Sequence, residues 1–177
     1  MYQHVILSLL LAAPVAAQTP ATQKPAAPAT KPAGATQKPS TEKPAAAATA
    51  KGRTIEIVGT EDMKFSLAAI TAKPGEMLTV RLVSKGTMPK IAMAHNFVLL
   101  TAKANQVEFA TAAMNARATD FIPADKKADV IAFTGLAGGG ETVEVTFKAP
   151  AAAGAYPYLC TFPGHFQAGM KGTLTVK

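Results

Sequence analysis

The sequence is poor in the residues and runs that would place it in several common classes of protein. One cysteine and three histidines occur among its 177 residues. A single cysteine cannot form an internal disulfide, so in an exported chain its thiol is free, joined to another molecule or bound to some other group. The apolar run at residues 5–17 is shorter than the about 20 residues that span a bilayer. No dense basic run is interleaved with aromatic residues, which argues against nucleic-acid binding.

The chain divides into segments of different composition. The formal net charge is +7, of which residues 18–53 carry +5 and residues 54–177 carry only +2. Residues 18–53 consist mainly of Ala, Pro, Lys, Thr and Gln, whereas β-branched and aromatic residues are spread throughout residues 54–177. A segment of the latter length can bury a hydrophobic core. We therefore predict one folded domain at residues 54–177.

The first segment, residues 1–17, has the features of a secretory signal peptide. Its apolar run ends in the small residues Val15-Ala16-Ala17, which suit cleavage before Gln18. The first four residues contain no Lys or Arg, so the alternative is an uncleaved segment that tethers the chain to a membrane. In either case we predict an exported chain, located in the periplasm or on the outer face of the cytoplasmic membrane.

The second segment, residues 18–53, is of low complexity. The motif ATQKP occurs at residues 21–25 and again at 35–39, and Lys-Pro recurs four times in all. So few apolar side chains cannot offset the entropy of ordering the backbone. We predict a disordered spacer, or stalk. A second interpretation is that its dispersed lysines lie against an anionic surface.

Short β-favouring runs separated by turn residues recur along residues 54–177. They are TIEIV at 54–58, MLTVRLV at 77–83, NFVLL at 96–100, DVIAF at 129–133, TVEVTF at 142–147, YPYL at 156–159 and GTLTV at 172–176. Only residues 104–119 have a helix-like composition. Strands of this length and spacing are typical of β-sandwiches and barrels. We predict an all-β, Greek-key sandwich or barrel of about eight strands with one short helical insertion.

The residues that can carry chemistry are concentrated near the C-terminus. Cys160, His165 and Met170 follow one another at intervals of five residues, and a Pro-Gly turn separates the first two. One tight loop can therefore bring a thiolate, an imidazole and a thioether to a common point. Because His4 lies in the predicted signal peptide, the second imidazole must be that of His95, which arrives from a distant strand. Two imidazoles, a thiolate and a weak axial thioether are the ligand set of an electron-transfer copper site.

Three other interpretations fit parts of this pattern. A Cys–His nucleophilic pair needs a third group to orient the base, and the sequence places none beside it. Structural zinc sites use four Cys or His ligands, and the chain has no such quartet. A protein for copper delivery or storage would use an open site that releases the ion. Here Cys160, His165 and Met170 lie in a tight loop between strands, which argues for retention. Because no histidine is left for the additional clusters of a copper oxidase, we predict a carrier and not an enzyme.

Two long motifs resemble the cupredoxins, the type 1 blue copper proteins, and among them the azurins in particular. They are MPKIAMAHNFVL at residues 88–99 and CTFPGH at 160–165, the latter followed by MKGTLTVK at 170–177. The resemblance covers nearly all of residues 54–177 and none of the stalk. The step of five residues from His165 to Met170 is similar to that of auracyanins and plastocyanins, whereas azurins have four. The stalk is also more similar to that of a membrane-tethered auracyanin.

Azurins differ from this chain in three further respects. They contain a disulfide that one cysteine cannot form. They have Gly at the position of Ala94 and Trp at the position of Phe97.

The resemblance implies roles for the residues around the four ligands. It implies that His95, Cys160 and His165 bind one copper ion, which alternates between Cu(I) and Cu(II), with Met170 in the axial position. The carbonyl of Ala94 is expected to point at the metal.

The resemblance also implies two supporting features. Asn96 is expected to tie the two ligand loops together and orient the thiolate. Thr161 either belongs to the same shell or only fills space. An apolar patch is expected around an exposed edge of His165. The alternative for its methionines is that they fill space in the hydrophobic core. The members of the patch are Met63, Met93, Met114, Phe162, Pro163 and Gly164.

Together these features predict an exported one-electron carrier. Its partners would be redox proteins, one donor and one acceptor, with cytochromes among the candidates. Docking would use the apolar patch and would be weak and short-lived.

Overall fold

The structure, a computed structural model, describes residues 52–177. The predicted signal peptide and almost all of the predicted stalk lie outside the described residues. The first strand begins at Arg53, the last residue of the predicted stalk. The Arg53 guanidinium Nε donates a 2.8 Å hydrogen bond to Glu76 Oε1, so Arg53 belongs to the folded domain. Within the described part of the chain, no helix is long and apolar enough to cross a membrane.

Residues 52–177 form nine strands in two sheets. The strands are β1 (Arg53–Thr60), β2 (Lys64–Phe65), β3 (Ala69–Ala72), β4 (Met77–Lys85), β5 (Val98–Leu100), β6 (Val130–Phe133), β7 (Thr142–Lys148), β8 (Gly154–Leu159) and β9 (Lys171–Val176). The strand order is β2-β1-β4-β7 in one sheet and β3-β9-β8-β5-β6 in the other. The β1–β4 and β3–β9 pairs are parallel, and the other pairs are antiparallel. This arrangement confirms the predicted β-sandwich.

The sheets face each other because their strands alternate in polarity. In β4 the side chains of Leu78, Val80 and Leu82 are buried, whereas Arg81 between them is exposed. The buried sides of both sheets form one core, in which the Phe97 and Tyr158 ring centroids lie 5.1 Å apart. Each large apolar side chain buried in this way stabilises the fold by about 1.5–3 kcal/mol.

The predicted helical insertion lies between β5 and β6 and is shorter than its composition suggests. The helix α1 (Gln106–Ala113) begins at Asn105, whose side chain accepts hydrogen bonds from the backbone N–H groups of Val107 and Glu108. Beyond α1 the chain continues through two short 3₁₀ helices, at Arg117–Thr119 and Ala124–Asp129. The buried face of α1 belongs to a second apolar cluster, which also contains Phe166 from the loop between β8 and β9.

Candidate metal centre

Two loops at one end of the sandwich carry the predicted ligands. His95 precedes β5, and its backbone N–H and C=O each bond to Ala137, at 2.9 and 2.8 Å. Cys160 directly follows β8 and Met170 directly precedes β9, so the two are cross-strand neighbours. The Cys160 N–H donates to the Met170 carbonyl at 3.0 Å. His165 lies in the loop between them, and its carbonyl accepts from the Met170 N–H at 2.9 Å.

The donor atoms of the two imidazoles and the thiol converge. The Nδ1 atoms of His95 and His165 are 3.2 Å apart, and Cys160 Sγ is 3.4 Å from His165 Nδ1. Within the described part of the chain, the three residues form a group whose ligand atoms lie within 4.8 Å of one another. His95 and Cys160 are fully buried, and His165 is 2% exposed. The structure thus brings together three side chains that the sequence separates by up to 70 residues.

Met170 is fully buried beside the same cluster. A Cβ atom at Gly59, in β1, would lie 3.1 Å from the Met170 methyl carbon and 2.9 Å from Cδ2 of His95. Met170 and His95 therefore line the same small space, and Gly59 forms part of its wall. The sequence analysis missed Gly59. The signal that could have found it is a lone glycine inside a β-strand, which often marks a close approach.

Burial controls the charge states of the three donor groups. It lowers the pKa of His165 to about 4, with a smaller contribution from His95. It also lowers the pKa of His95, and the nearby carboxylate of Glu61 opposes this effect. Burial raises the pKa of the Cys160 thiol to about 12, and hydrogen bonds from the backbone N–H groups of Asn96 and Phe162 act in the opposite direction. At neutral pH both imidazoles are thus neutral and able to bind a metal, whereas the thiol needs a cation to become a thiolate.

These observations fit a copper ion. Three donor atoms, the Nδ1 atoms of both histidines and Sγ of Cys160, face one another at short range in a buried pocket. A thiolate and a thioether suit Cu(I), and imidazole also suits Cu(II). Hard cations such as magnesium and calcium prefer oxygen ligands, which this donor set lacks.

A pair of hydrogen bonds joins the two ligand loops next to the cluster. The side-chain Nδ2 of Asn96 donates to Thr161 Oγ1 at 2.7 Å, and the Thr161 N–H donates to Asn96 Oδ1 at 2.8 Å. A longer bond of 3.4 Å runs from Nδ2 to the carbonyl of Asp120. Both Asn96 and Thr161 are buried, so these bonds are shielded from water. Ala94 is also fully buried and directly precedes His95.

Part of the predicted apolar patch coincides with an open groove. Met114, Phe162 and Pro163 line one open groove of about 600 Å³. The other residues that line it are Lys90, Ile91, Ala92, Arg117, Asp120, Phe121 and Leu136. Met63 and Met93 do not line this groove and are half-buried, Met63 in the β1–β2 turn and Met93 in the loop before His95.

The groove approaches the cluster through Phe162. The Phe162 ring packs against His165 with 4.9 Å between centroids and against Phe121 with 5.3 Å. Gly164 is exposed beside it. The expected exposed edge of His165 is small, since only 2% of the residue reaches solvent.

Comparison with known proteins decides the family. The family model for copper binding proteins of the plastocyanin/azurin family matches residues 53–177. The chain belongs to this family. Azurin from Pseudomonas denitrificans is 42% identical over 127 residues, which cover 70% of this chain and 98% of that protein. Auracyanin-A from Chloroflexus aurantiacus is 40% identical over 126 residues, which cover 70% of this chain and 74% of that protein.

Solved structures of this plastocyanin/azurin family agree with the fold. The crystal structure of dithionite-reduced auracyanin from Roseiflexus castenholzii superimposes with a TM-score of 0.62 at 35% identity, covering 71% of this chain and 98% of that one. Auracyanin A, described as a "blue" copper protein, gives a TM-score of 0.61 at 40% identity, covering 70% and 98%.

Membership of the plastocyanin/azurin family confirms three predictions made from the sequence. The chain is a cupredoxin, its cofactor is copper, and it is an electron carrier and not an enzyme. The buried cluster of His95, Cys160 and His165 with Met170 beside it is typical of a type 1 copper site.

Proposed function

We propose that the chain shuttles single electrons between redox proteins outside the cytoplasm, on one copper ion held by His95, Cys160, His165 and Met170. One observation carries the ligand assignment: the Nδ1 atoms of both histidines and Sγ of Cys160 converge, at 3.2 and 3.4 Å, in a pocket closed to solvent. Met170 lies beside them and would supply a weaker thioether ligand to the ion. Copper bound there would take up and release one electron as Cu(II) and Cu(I) alternate.

The surrounding residues hold the ligands in place while the charge changes. The Asn96–Thr161 bonds join the loop of His95 to the loop of Cys160. The backbone N–H groups of Asn96 and Phe162 point at the sulfur and stabilise its negative charge. Because the pocket is buried, little water has to reorganise when an electron moves. We assign the Ala94 carbonyl a weak contact with the metal, from its position beside His95.

The groove next to His165 is the proposed docking site for redox partners. It is lined mainly by apolar side chains, and Ile91 and Met114 expose 76% and 43% of their surface there. Arg117 and Asp120 bring charges of opposite sign to this groove, and the ammonium of Lys90 is paired with the carboxylate of Glu141 at 2.6 Å. A small contact of this kind permits the quick release that a carrier needs. Cytochromes are candidate partners.

The proposed location follows from the N-terminal sequence. Residues 1–17 act as an export signal, and the residues from 18 up to the folded domain act as a spacer, which would become a membrane tether if the signal is retained. The mass of the protein recovered from the periplasm tests this, because cleavage before Gln18 removes residues 1–17. A full-length protein found only in the cytoplasm would contradict the proposal.

The copper ligands are tested by a visible spectrum after Cu(II) is added to the full chain. We expect an intense band from charge transfer between the thiolate and copper. Cys160→Ser should abolish it, because a hydroxyl is a harder and far less acidic ligand. The adjacent control Thr161→Ser keeps the hydroxyl that accepts the Asn96 bond and should keep the band. An intense band in Cys160→Ser would show that the ligand assignment is wrong.

A further inference from the structure

The turn that joins β1 and β2 touches both ligand loops. We call residues 59–65 the clamp hairpin. Gly59 pairs with Phe65 and Thr60 pairs with Lys64, which leaves a loop of three residues. The last of these, Met63, has a φ of 56° and donates its N–H to Thr60 O at 2.9 Å. A left-handed residue in the third position is a common geometry for a three-residue hairpin, so the turn is well defined.

One side of the clamp hairpin holds the loop that leads to His95. Oε1 of Glu61 accepts hydrogen bonds from the backbone N–H groups of Thr87 at 2.8 Å and Met88 at 3.3 Å. These two residues follow β4 and begin the loop that ends at His95. The carboxylate also lies close enough to His95 to act on the charge of its imidazole.

The other side of the clamp hairpin holds the loop of His165 and Met170. The ammonium of Lys64 donates to the carbonyl of Ala168. The next residue, Gly169, has a φ of +96°, and a Cβ there would lie 2.7 Å from Lys64 Nζ. Gly169 is thus required by its left-handed backbone conformation.

The base of the clamp hairpin completes the contact, since Gly59 packs against His95 and Met170 together. One turn therefore meets both ligand loops through a carboxylate, an ammonium and a glycine. We propose that Glu61 and Lys64 are positioning residues of the copper site, and that their opposite charges shift its reduction potential in opposite directions. This inference rests on the proposed function.

The signs follow from Coulomb's law. A carboxylate near the site stabilises the more positive Cu(II), so it lowers the reduction potential, whereas an ammonium raises it. Glu61→Gln should therefore raise the potential and Lys64→Gln should lower it. We expect each to change the ratio of reduced to oxidised protein at a fixed potential by at least about threefold, which is about 30 mV for one electron.

Two series of substitutions separate the effect of each side chain's charge from its effect on the position of the ligand loops. Glu61→Gln keeps an oxygen that can accept from Thr87 and Met88, whereas Glu61→Ala removes it. In the copper-free full chain, Glu61→Ala should speed amide hydrogen exchange at Thr87 and Met88 at least tenfold, and Glu61→Gln should not. Lys64→Arg keeps both the charge and the hydrogen-bond donor. Its reduction potential should therefore match that of the wild-type protein and not that of Lys64→Gln.

Matched controls use charges that face away from the site. Glu56→Gln alters an exposed carboxylate in β1, the strand that leads into the clamp hairpin. Lys148→Gln alters an amine at the end of β7, where Lys148 pairs with Met77 at the end of the sandwich opposite the ligand loops. Shifts of opposite sign for Glu61→Gln and Lys64→Gln, each larger than its control, would support the clamp. Shifts of the same sign, or shifts no larger than the controls, would overturn it. A wild-type protein without the copper–thiolate band would instead refute the proposed function.

Discussion

The two hydrogen bonds between Asn96 and Thr161 make a specific prediction about stability. Replacing Asn96 with Ala removes the donor for Thr161 Oγ1 and the acceptor for the Thr161 N–H. Replacing Thr161 with Val removes only the hydroxyl, so the bond from the Thr161 N–H to Oδ1 survives. Asn96→Ala should therefore lower the free energy of unfolding more than Thr161→Val does.

The size of each effect follows from burial. A net hydrogen bond contributes about 1 kcal/mol, and a buried N–H left without a partner costs about 1–3 kcal/mol. Asn96→Ala should thus lower the free energy of unfolding by about 2–4 kcal/mol, and Thr161→Val by about 1–2 kcal/mol, because it leaves the Asn96 Nδ2 group with only its longer bond to Asp120. In a domain of this size those changes lower Tm by roughly 8–15 °C and roughly 4–8 °C respectively.

The assay is thermal and urea unfolding of the copper-free full chain, followed by circular dichroism. Thr134→Val is a control that also removes a single buried bond, since Oγ1 of Thr134 accepts from the Phe97 N–H at 3.0 Å, and it should destabilise the protein about as much as Thr161→Val. If Asn96→Ala destabilises the protein no more than Thr161→Val, the amide does not bridge the loops and the reasoning fails.

Three further predictions concern the site and its surface. Gly59→Ala should destabilise the protein by about 1–3 kcal/mol and alter the visible spectrum, because the added Cβ would overlap His95 and Met170. Gly135→Ala is the control: its Cβ would lie in open space, so it should change neither the stability nor the spectrum. Met170→Leu should keep copper and colour with a raised reduction potential, since a lost donor disfavours Cu(II), and complete loss of copper would contradict an axial role. Met114→Lys should slow electron self-exchange at least tenfold and leave the visible spectrum unchanged. Val107→Lys changes a residue of α1 that is 62% exposed and lies outside the groove, so it should not slow self-exchange. Equal rates for the two variants would argue against docking at the groove.

The sequence predicts the long strands and the ligand cluster well because both follow from local pattern. β1, β4 and β7 alternate in polarity over seven or more residues, which is enough to show a period of two. The strands β2 and β3 have two and four residues, too few for any period, and the sequence analysis missed them. The helix is shorter than residues 104–119 because, after Ala113, the N–H groups of Asn115 and Ala116 bond to carbonyls three residues back instead of four.

Contacts that depend on tertiary structure are harder to predict. Met63 and Met93 belong to loops whose relative positions no local pattern specifies, so their place in the apolar patch stays a prediction. Glu61 and Lys64 look in the sequence like solvated turn residues, since charged side chains in turns usually are. Their role becomes visible only when the ligand loops are placed beside the turn.

The burial of the ligand groups favours retention of copper over its delivery, and their charge states make its binding depend on pH. A thiol whose pKa is about 12 gives up its proton at neutral pH only when a cation replaces it, and the backbone N–H groups of Asn96 and Phe162 are already directed at the resulting thiolate. The imidazoles, neutral at the same pH, need no proton to be removed before they bind. Binding of copper should therefore release one proton from Cys160, and the affinity for copper should fall as the pH is lowered. Retention of the ion follows instead from access: His95, Cys160 and Met170 are fully buried and His165 is 2% exposed, so a copper acceptor cannot reach the ligands unless the loops open, and a site closed in this way suits a carrier that exchanges electrons and keeps its metal.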